Sequence, residues 1–141
     1  MTGCAGYEPL FSTKKLSFYI DAIDNVNESK ITKKISKNLN NNKKEIEGKK
    51  NYILKILSGR KNNITSRDSK GVASTYEMVI NVKVEVFYND INTPIATFVI
   101  NKNSNYKNQI NKFSLSQYKN TIEENIIREI AQEITIKLHS L

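Results

Sequence analysis

From Tyr76 to Tyr88 one parity of the chain is apolar or aromatic: Tyr76, Met78, Ile80, Val82, Val84, Val86 and Tyr88. Thr75, Glu77, Asn81, Lys83 and Glu85 fill the other parity, broken only by Val79 and Phe87. A period of two sends successive side chains to opposite faces, so the segment predicts a strand with one buried face. At about 3.4 Å per residue it spans roughly 40 Å, and such a strand is expected to twist strongly or project beyond its sheet. Asn89-Asp90-Ile91-Asn92-Thr93-Pro94 carries turn residues, and Ile95 to Asn101 reads as a returning strand. The two predict an antiparallel hairpin.

Upstream, Leu16, Phe18 and Ile20 alternate with Ser17, Tyr19 and Asp21, a first strand. Asp24 or Asn25 is placed to cap a helix whose Ile31, Ile35 and Leu39 recur at spacings of four on a Lys-rich surface, fraying into Asn40-Asn41-Asn42-Lys43-Lys44. From Asn51 another strand sets Tyr52, Leu54 and Ile56 opposite Ile53, Lys55 and Leu57, and Ser58 to Gly71 reads as an extended turn or strand continuation. After a polar segment from Lys102 to Lys112 containing Tyr106, a last helix is predicted to start near Ser114 or Ser116. Its stripe is Ile122, Ile126, Ile130, Ile134 and Leu138, widened by Ile127, Ala131 and Leu141. Glu123, Glu124, Arg128, Glu129, Glu133 and Lys137 are assigned to water. The order β-α-β-β-β-α predicts an α+β fold, a two-layer sandwich with two helices packed on one face of a four-stranded sheet.

At 141 residues the chain fits one domain with a core that needs neither disulfide nor metal. It has one Cys and one His, so neither an internal disulfide nor a zinc site is expected. No apolar run approaches the roughly 18 residues of a spanning helix, which leaves a lipid or a partner as the route to a membrane. There is no Gly-rich phosphate loop and no nucleophile elbow. His139 sits at the end of the last helix, and the adjacent Glu123 and Glu124 point about 100° apart, so they cannot work as an acid/base pair. The expectation is a non-enzyme without cofactor. The formal charge of +8 favours an anionic partner, discounted because Lys, Asn and Ile are enriched together as AT-rich codons would make them.

The lone cysteine, Cys4, follows Thr2-Gly3, small residues of the kind a lipoprotein signal peptidase accepts before a cysteine that is then lipidated. Only three residues precede it, short of the apolar segment of roughly 7 to 15 residues that a secretory signal carries. Residues 1–3 are therefore expected to be a signal remnant, residues 4–13 a lipid-anchor tether, and residues 14–141 a single domain. Lipidation of Cys4 is favoured over an ordinary buried thiol. Tyr7, Pro9, Leu10 and Phe11 are expected to staple the tether to the domain, and Tyr76 and Tyr88 to serve in packing.

Three stretches together resemble the LptE family of lipopolysaccharide-assembly lipoproteins. They are Cys4-Ala5-Gly6-Tyr7-Glu8-Pro9-Leu10-Phe11, then Gly71-Val72-Ala73-Ser74-Thr75-Tyr76-Glu77-Met78 leading into the long strand, and the amphipathic segment from Asn120 to Leu138. The resemblance implies a protein anchored through Cys4 at the periplasmic face of the outer membrane. It further implies a plug in the lumen of an LptD-like β-barrel that assists lipopolysaccharide transport to the cell surface.

Phosphates of that glycolipid would suit Lys and Arg. Arg60, Lys61, Arg67 and Lys70 are expected to cluster at one tip of the sheet, around the connection into the long strand. Lys119 lies near the front of the last helix, where the dipole disfavours a cation. It matches a basic position in the family's closing helix, whereas Arg67 and Lys70 match only by neighbourhood. Arg67, Lys70 and Lys119 are therefore the candidate lipopolysaccharide contacts, with plain surface solvation as the competing reading for each. Two other functions stay open: a different periplasmic lipoprotein serving an export system, and a basic nucleic-acid-binding α+β module. The second lacks the aromatic stacking motif of an RNA-recognition sheet, so no nucleic acid is expected.

Overall fold

The computed structural model describes residues 18–39, 50–88 and 91–141. Cys4, the tether, Leu16, the Asn40–Lys44 run and the Asn89-Asp90 pair lie outside the described residues. Six elements follow in order: β1 (Phe18–Asn25), α1 (Lys30–Leu39), β2 (Lys50–Arg67), β3 (Ala73–Tyr88), β4 (Ala96–Lys107) and α2 (Lys112–His139). They form one four-stranded sheet in the spatial order β1-β2-β3-β4. The β1–β2 pair is parallel, joined through α1, and the other two pairs are antiparallel. This is the α+β two-layer arrangement that the hydrophobic periods predict.

The predicted stripes meet in a single core. Phe18, Ile20, Tyr52, Leu54, Ile56, Ile80, Val84 and Ile100 from the sheet are buried against Ile31, Ile35 and Leu39 of α1 and Ile122, Ile126, Ile130, Ile134 and Leu138 of α2. Each such side chain contributes about 1.5–3 kcal/mol by leaving water. The opposite face of the sheet carries exposed Lys55, Leu57, Lys83, Thr97 and Val99. Leu141 is exposed, so it does not widen the stripe as expected.

The long strand does not project alone. β2 pairs with β3 from Tyr52–Tyr88 to Arg67–Ala73, and β4 pairs with it from Thr75–Lys107 to Val86–Ala96. The segment from Ser58 to Arg67 is thus strand. β4 runs six residues past the expected end at Asn101, through the polar residues Lys102 to Lys107. At about 1.5 Å per residue the 28-residue α2 spans about 42 Å, long enough to follow that extended ribbon.

Both helix starts differ from expectation. Ser29, not Asp24 or Asn25, caps α1, its hydroxyl accepting from the Ile31 N–H at 3.1 Å. Asn25 ends β1 and brackets the cap from outside, accepting from the Ser29 N–H and donating to the Ser29 carbonyl, both at 2.9 Å. The Ser58 hydroxyl then meets Thr32 at 2.6 Å and Ser29 at 2.9 Å, pinning the front of α1 to β2. α2 starts before Ser114, capped by Asn111, whose side chain accepts from the N–H groups of Phe113 and Ser114.

Candidate functional site at the tip of the sheet

Two connections converge at one end of the β2–β3–β4 ribbon. In the first, Asp68 organises the turn: its Oδ1 accepts from the N–H groups of Lys70 and Val72, each at 2.9 Å. Its backbone N–H donates to the Val72 carbonyl at 2.8 Å, and its carbonyl accepts from Gly71 at 3.0 Å. Gly71 takes a φ of 83°, in the left-handed region that glycine enters without a Cβ penalty. Arg67 closes the turn from below, its guanidinium donating to the Gly71 carbonyl at 2.9 Å. Lys70 is thereby held at the apex with its side chain exposed.

The second connection, from β4 into α2, is fastened to the start of β3. The Asn108 N–H donates to the Ser74 carbonyl at 2.9 Å, and the Asn108 side chain donates to the Ala73 carbonyl at 2.8 Å. Between the two connections lies an open cavity of about 590 Å³. Val72, Tyr76, Ile110, Lys112 and Leu115 line it, with Asp68 at its edge. Tyr76 stacks on Tyr106 with ring centroids 5.2 Å apart, and Tyr118 of α2 meets Tyr106 edge-on at 6.1 Å. Tyr106 donates its phenolic proton to Asn62 Oδ1 at 2.9 Å. Burial, with the neighbouring Tyr76, pushes the Tyr106 pKa up against the lowering pull of Arg60. Tyr76 is therefore a packing residue, as expected.

Of the candidate contacts, the structure brings Arg67 and Lys70 together in one turn. Lys119 is half-buried on α2, four residues beyond Leu115. It sits at the same end of the domain, one helical turn or about 6 Å along the axis from the cavity wall. Arg60 and Lys61 are not part of the tip: they pair with Ile80 and Val79 in the middle of the β2–β3 ladder. Lys112, which the sequence reading passed over, does line the cavity.

Arg60 instead reaches across the sheet's inner face to Glu123, which also receives the ammonium of Lys34 from α1. Glu123 is buried, contrary to its assignment to water. Burial pushes its carboxyl up, but hydrogen bonds and charges from Lys34 and Arg60 outweigh that and hold its pKa below the usual value. The same helix pair carries an open groove of about 340 Å³ lined by Lys34, Lys37, Arg128 and Glu124.

Among the described residues no three His, Cys, Asp or Glu side chains are grouped so as to hold a metal ion. Among them, too, no helix is long and apolar enough to cross a membrane.

Solved structures share this fold across nearly the whole chain. Rare lipoprotein B from Shewanella oneidensis superposes with a TM-score of 0.63 at 15% identity, covering 87% of this chain and 93% of its own. Lipoprotein B from Nitrosomonas europaea gives 0.64 at 13% identity, covering 96% and 91%. A minor lipoprotein from Acinetobacter baumannii gives 0.64 at 12%, covering 89% and 93%. A comparison with curated proteins finds no match. At the level of the family, residues 16–138 match LptE, lipopolysaccharide-assembly, so the chain belongs to the LptE family.

Proposed function

We propose that this protein is an outer-membrane lipoprotein that plugs and supports an LptD-type β-barrel and assists lipopolysaccharide transport to the cell surface. The observation that carries the proposal is the family match over residues 16–138, which runs from before β1 into the last turn of α2. In this reading Cys4 bears the lipid, residues 4–13 tether it, and the domain sits at the periplasmic face of the outer membrane. The domain acts by assembly, without catalysis, cofactor or nucleic acid. The outer face of its sheet sets Lys55, Lys83 and Thr97 beside Leu57 and Val99, and its polar positions suit a barrel lumen, which is itself polar.

Arg67, Lys70 and Lys119 supply the direct contacts to lipopolysaccharide phosphate. The Asp68 turn supports this reading, because its hydrogen bonds order the backbone that carries Arg67 and Lys70 at the tip. The test is purification of the full-length tagged protein, expressed from its own locus, out of detergent-solubilised outer membranes. Recovery of a large β-barrel in near-stoichiometric amount is the expected result. Recovery in the soluble fraction without a barrel overturns the proposal, and a different membrane partner points to another export system.

A further inference from the structure

The tip is basic, yet it also exposes large apolar side chains. Val72 in the β2–β3 turn is 54% exposed, Phe113 in the first turn of α2 is 69% exposed, and Ile110 between them is fully exposed. None of the three hangs on slack backbone. The Val72 N–H is fixed by Asp68, the Phe113 N–H by Asn111, and Ile110 sits between that cap and the Asn108 anchor. The domain therefore presents these side chains. Val72 and Ile110 face one open cavity of about 590 Å³, within the size of small-molecule sites, about 300–1,000 Å³. Its other walls include the aromatic ring of Tyr76 and the aliphatic side chain of Leu115.

Apolar surface of this kind, rimmed by polar groups, marks a binding surface. Charge selects the occupant. The converging segments 67–76 and 107–119 carry five cations, Arg67, Lys70, Lys107, Lys112 and Lys119, against one acid, Asp68. An Asp68 carboxylate oxygen is already engaged by two N–H groups. A ligand that meets this surface needs a hydrocarbon part and an anionic part close together.

We propose that the tip grips an acyl chain of an anionic glycolipid on Val72 and Ile110, while Lys70 and Lys112 meet its phosphate. This rests on the lipopolysaccharide contact proposed above and adds the hydrocarbon half of the ligand to it. Binding then draws on chain burial as well as on charge, so it persists where salt screens the phosphate contacts.

The test titrates the full-length protein against lipopolysaccharide, and against the same material stripped of all its acyl chains, the ester-linked ones by mild alkali and the amide-linked ones by hot strong alkali. Two variants are compared with the parent: Val72→Ser with Ile110→Ser, and Lys70→Glu with Lys112→Glu. All four positions are exposed, and an unchanged urea midpoint verifies the fold. The apolar variant is expected to lose about tenfold or more on the acylated ligand and nothing on the stripped one. The charge variant is expected to lose affinity for both. Parental affinity of the apolar variant for the acylated ligand overturns the proposal. If that variant instead keeps lipid binding and loses the barrel in the purification described above, the tip is a protein-docking surface. A parent that recovers the barrel but binds neither lipid overturns this proposal together with the phosphate contacts it rests on, and leaves the plug standing; lipid binding without a barrel overturns only the plug.

Discussion

The carboxylate of Glu123, in α2, is bonded by the guanidinium of Arg60, in β2, and the ammonium of Lys34 completes the bridge from α1. One buried acid thus ties three elements, and it is more enclosed than its partners. Its side chain is 3% exposed, against 40% for Arg60 and 45% for Lys34. Both cations keep access to water, so solvent screening reduces what the triad contributes. Glu123→Gln removes the charge while keeping the shape, and is expected to cost about 1–2 kcal/mol, read as a lowered urea midpoint at neutral pH.

Acid should erase that difference. The folded-state pKa of Glu123 is depressed, so its contribution is fully present above the unfolded value of about 4.3 and is lost as pH falls through the folded value. The parent should therefore lose stability below about pH 4 more steeply than Glu123→Gln, until the two urea midpoints converge. Parallel midpoints from pH 7 to pH 2 would show that the carboxylate is not held by its cations.

The position of Glu123 was legible in the sequence, but only at the true helical period. A stripe counted in fours drifts about 40° per step, because four residues at about 100° each overshoot a turn. Glu123 lies seven residues before Ile130 and eleven before Ile134, within about 20° of both, so it belongs in the buried face. The reverse problem hid the far half of β4. Asn101, Asn103 and Asn105 have poor strand propensity, yet the ladder with β3 holds them extended, a tertiary effect that local composition does not carry. The alternation from Tyr76 to Tyr88 needed no such help. At the tip, Arg67 and Lys70 were found from charge near a turn. Ile110 and Phe113 were passed over because their exposure is a tertiary property that local composition does not carry.

Gly71 provides a test of the turn that holds Arg67 and Lys70. At φ of 83° an alanine is strained, although a Cβ there would meet no atom within 4 Å. Gly71→Ala is expected to cost about 1 kcal/mol, arising from backbone conformation alone. A midpoint equal to the parent's would show that the turn relaxes freely and that the tip is not preorganised.

Two isoleucines on α2 should separate core from surface. Ile130 is completely buried, while Ile136 is 49% exposed. Ile130→Ala is expected to cost about 2–5 kcal/mol through lost burial and the cavity left behind, and Ile136→Ala about 0.5 kcal/mol or less. Equal costs in urea unfolding would mean that α2 does not dock through its Ile130 face.

Charge reversal at the tip tests whether Lys119 belongs to the same site as the Arg67 turn. Arg67→Glu with Lys70→Glu removes two cations that one rigid turn presents together, whereas Lys119→Glu removes one that stands a helical turn from the cavity wall. If all three meet lipopolysaccharide phosphate, each variant weakens binding at low ionic strength, and because the groups share one ligand the combined loss departs from the sum of the two. Exposed charges are screened beyond about 10 Å at 0.1 M salt, so raising the salt should shrink the gap between parent and variants. Titrations at low and high salt check both points. A loss confined to the Arg67 and Lys70 variant would restrict the site to the turn and its neighbour Lys112. An unchanged affinity in both variants would remove all three residues from the site while leaving family membership intact.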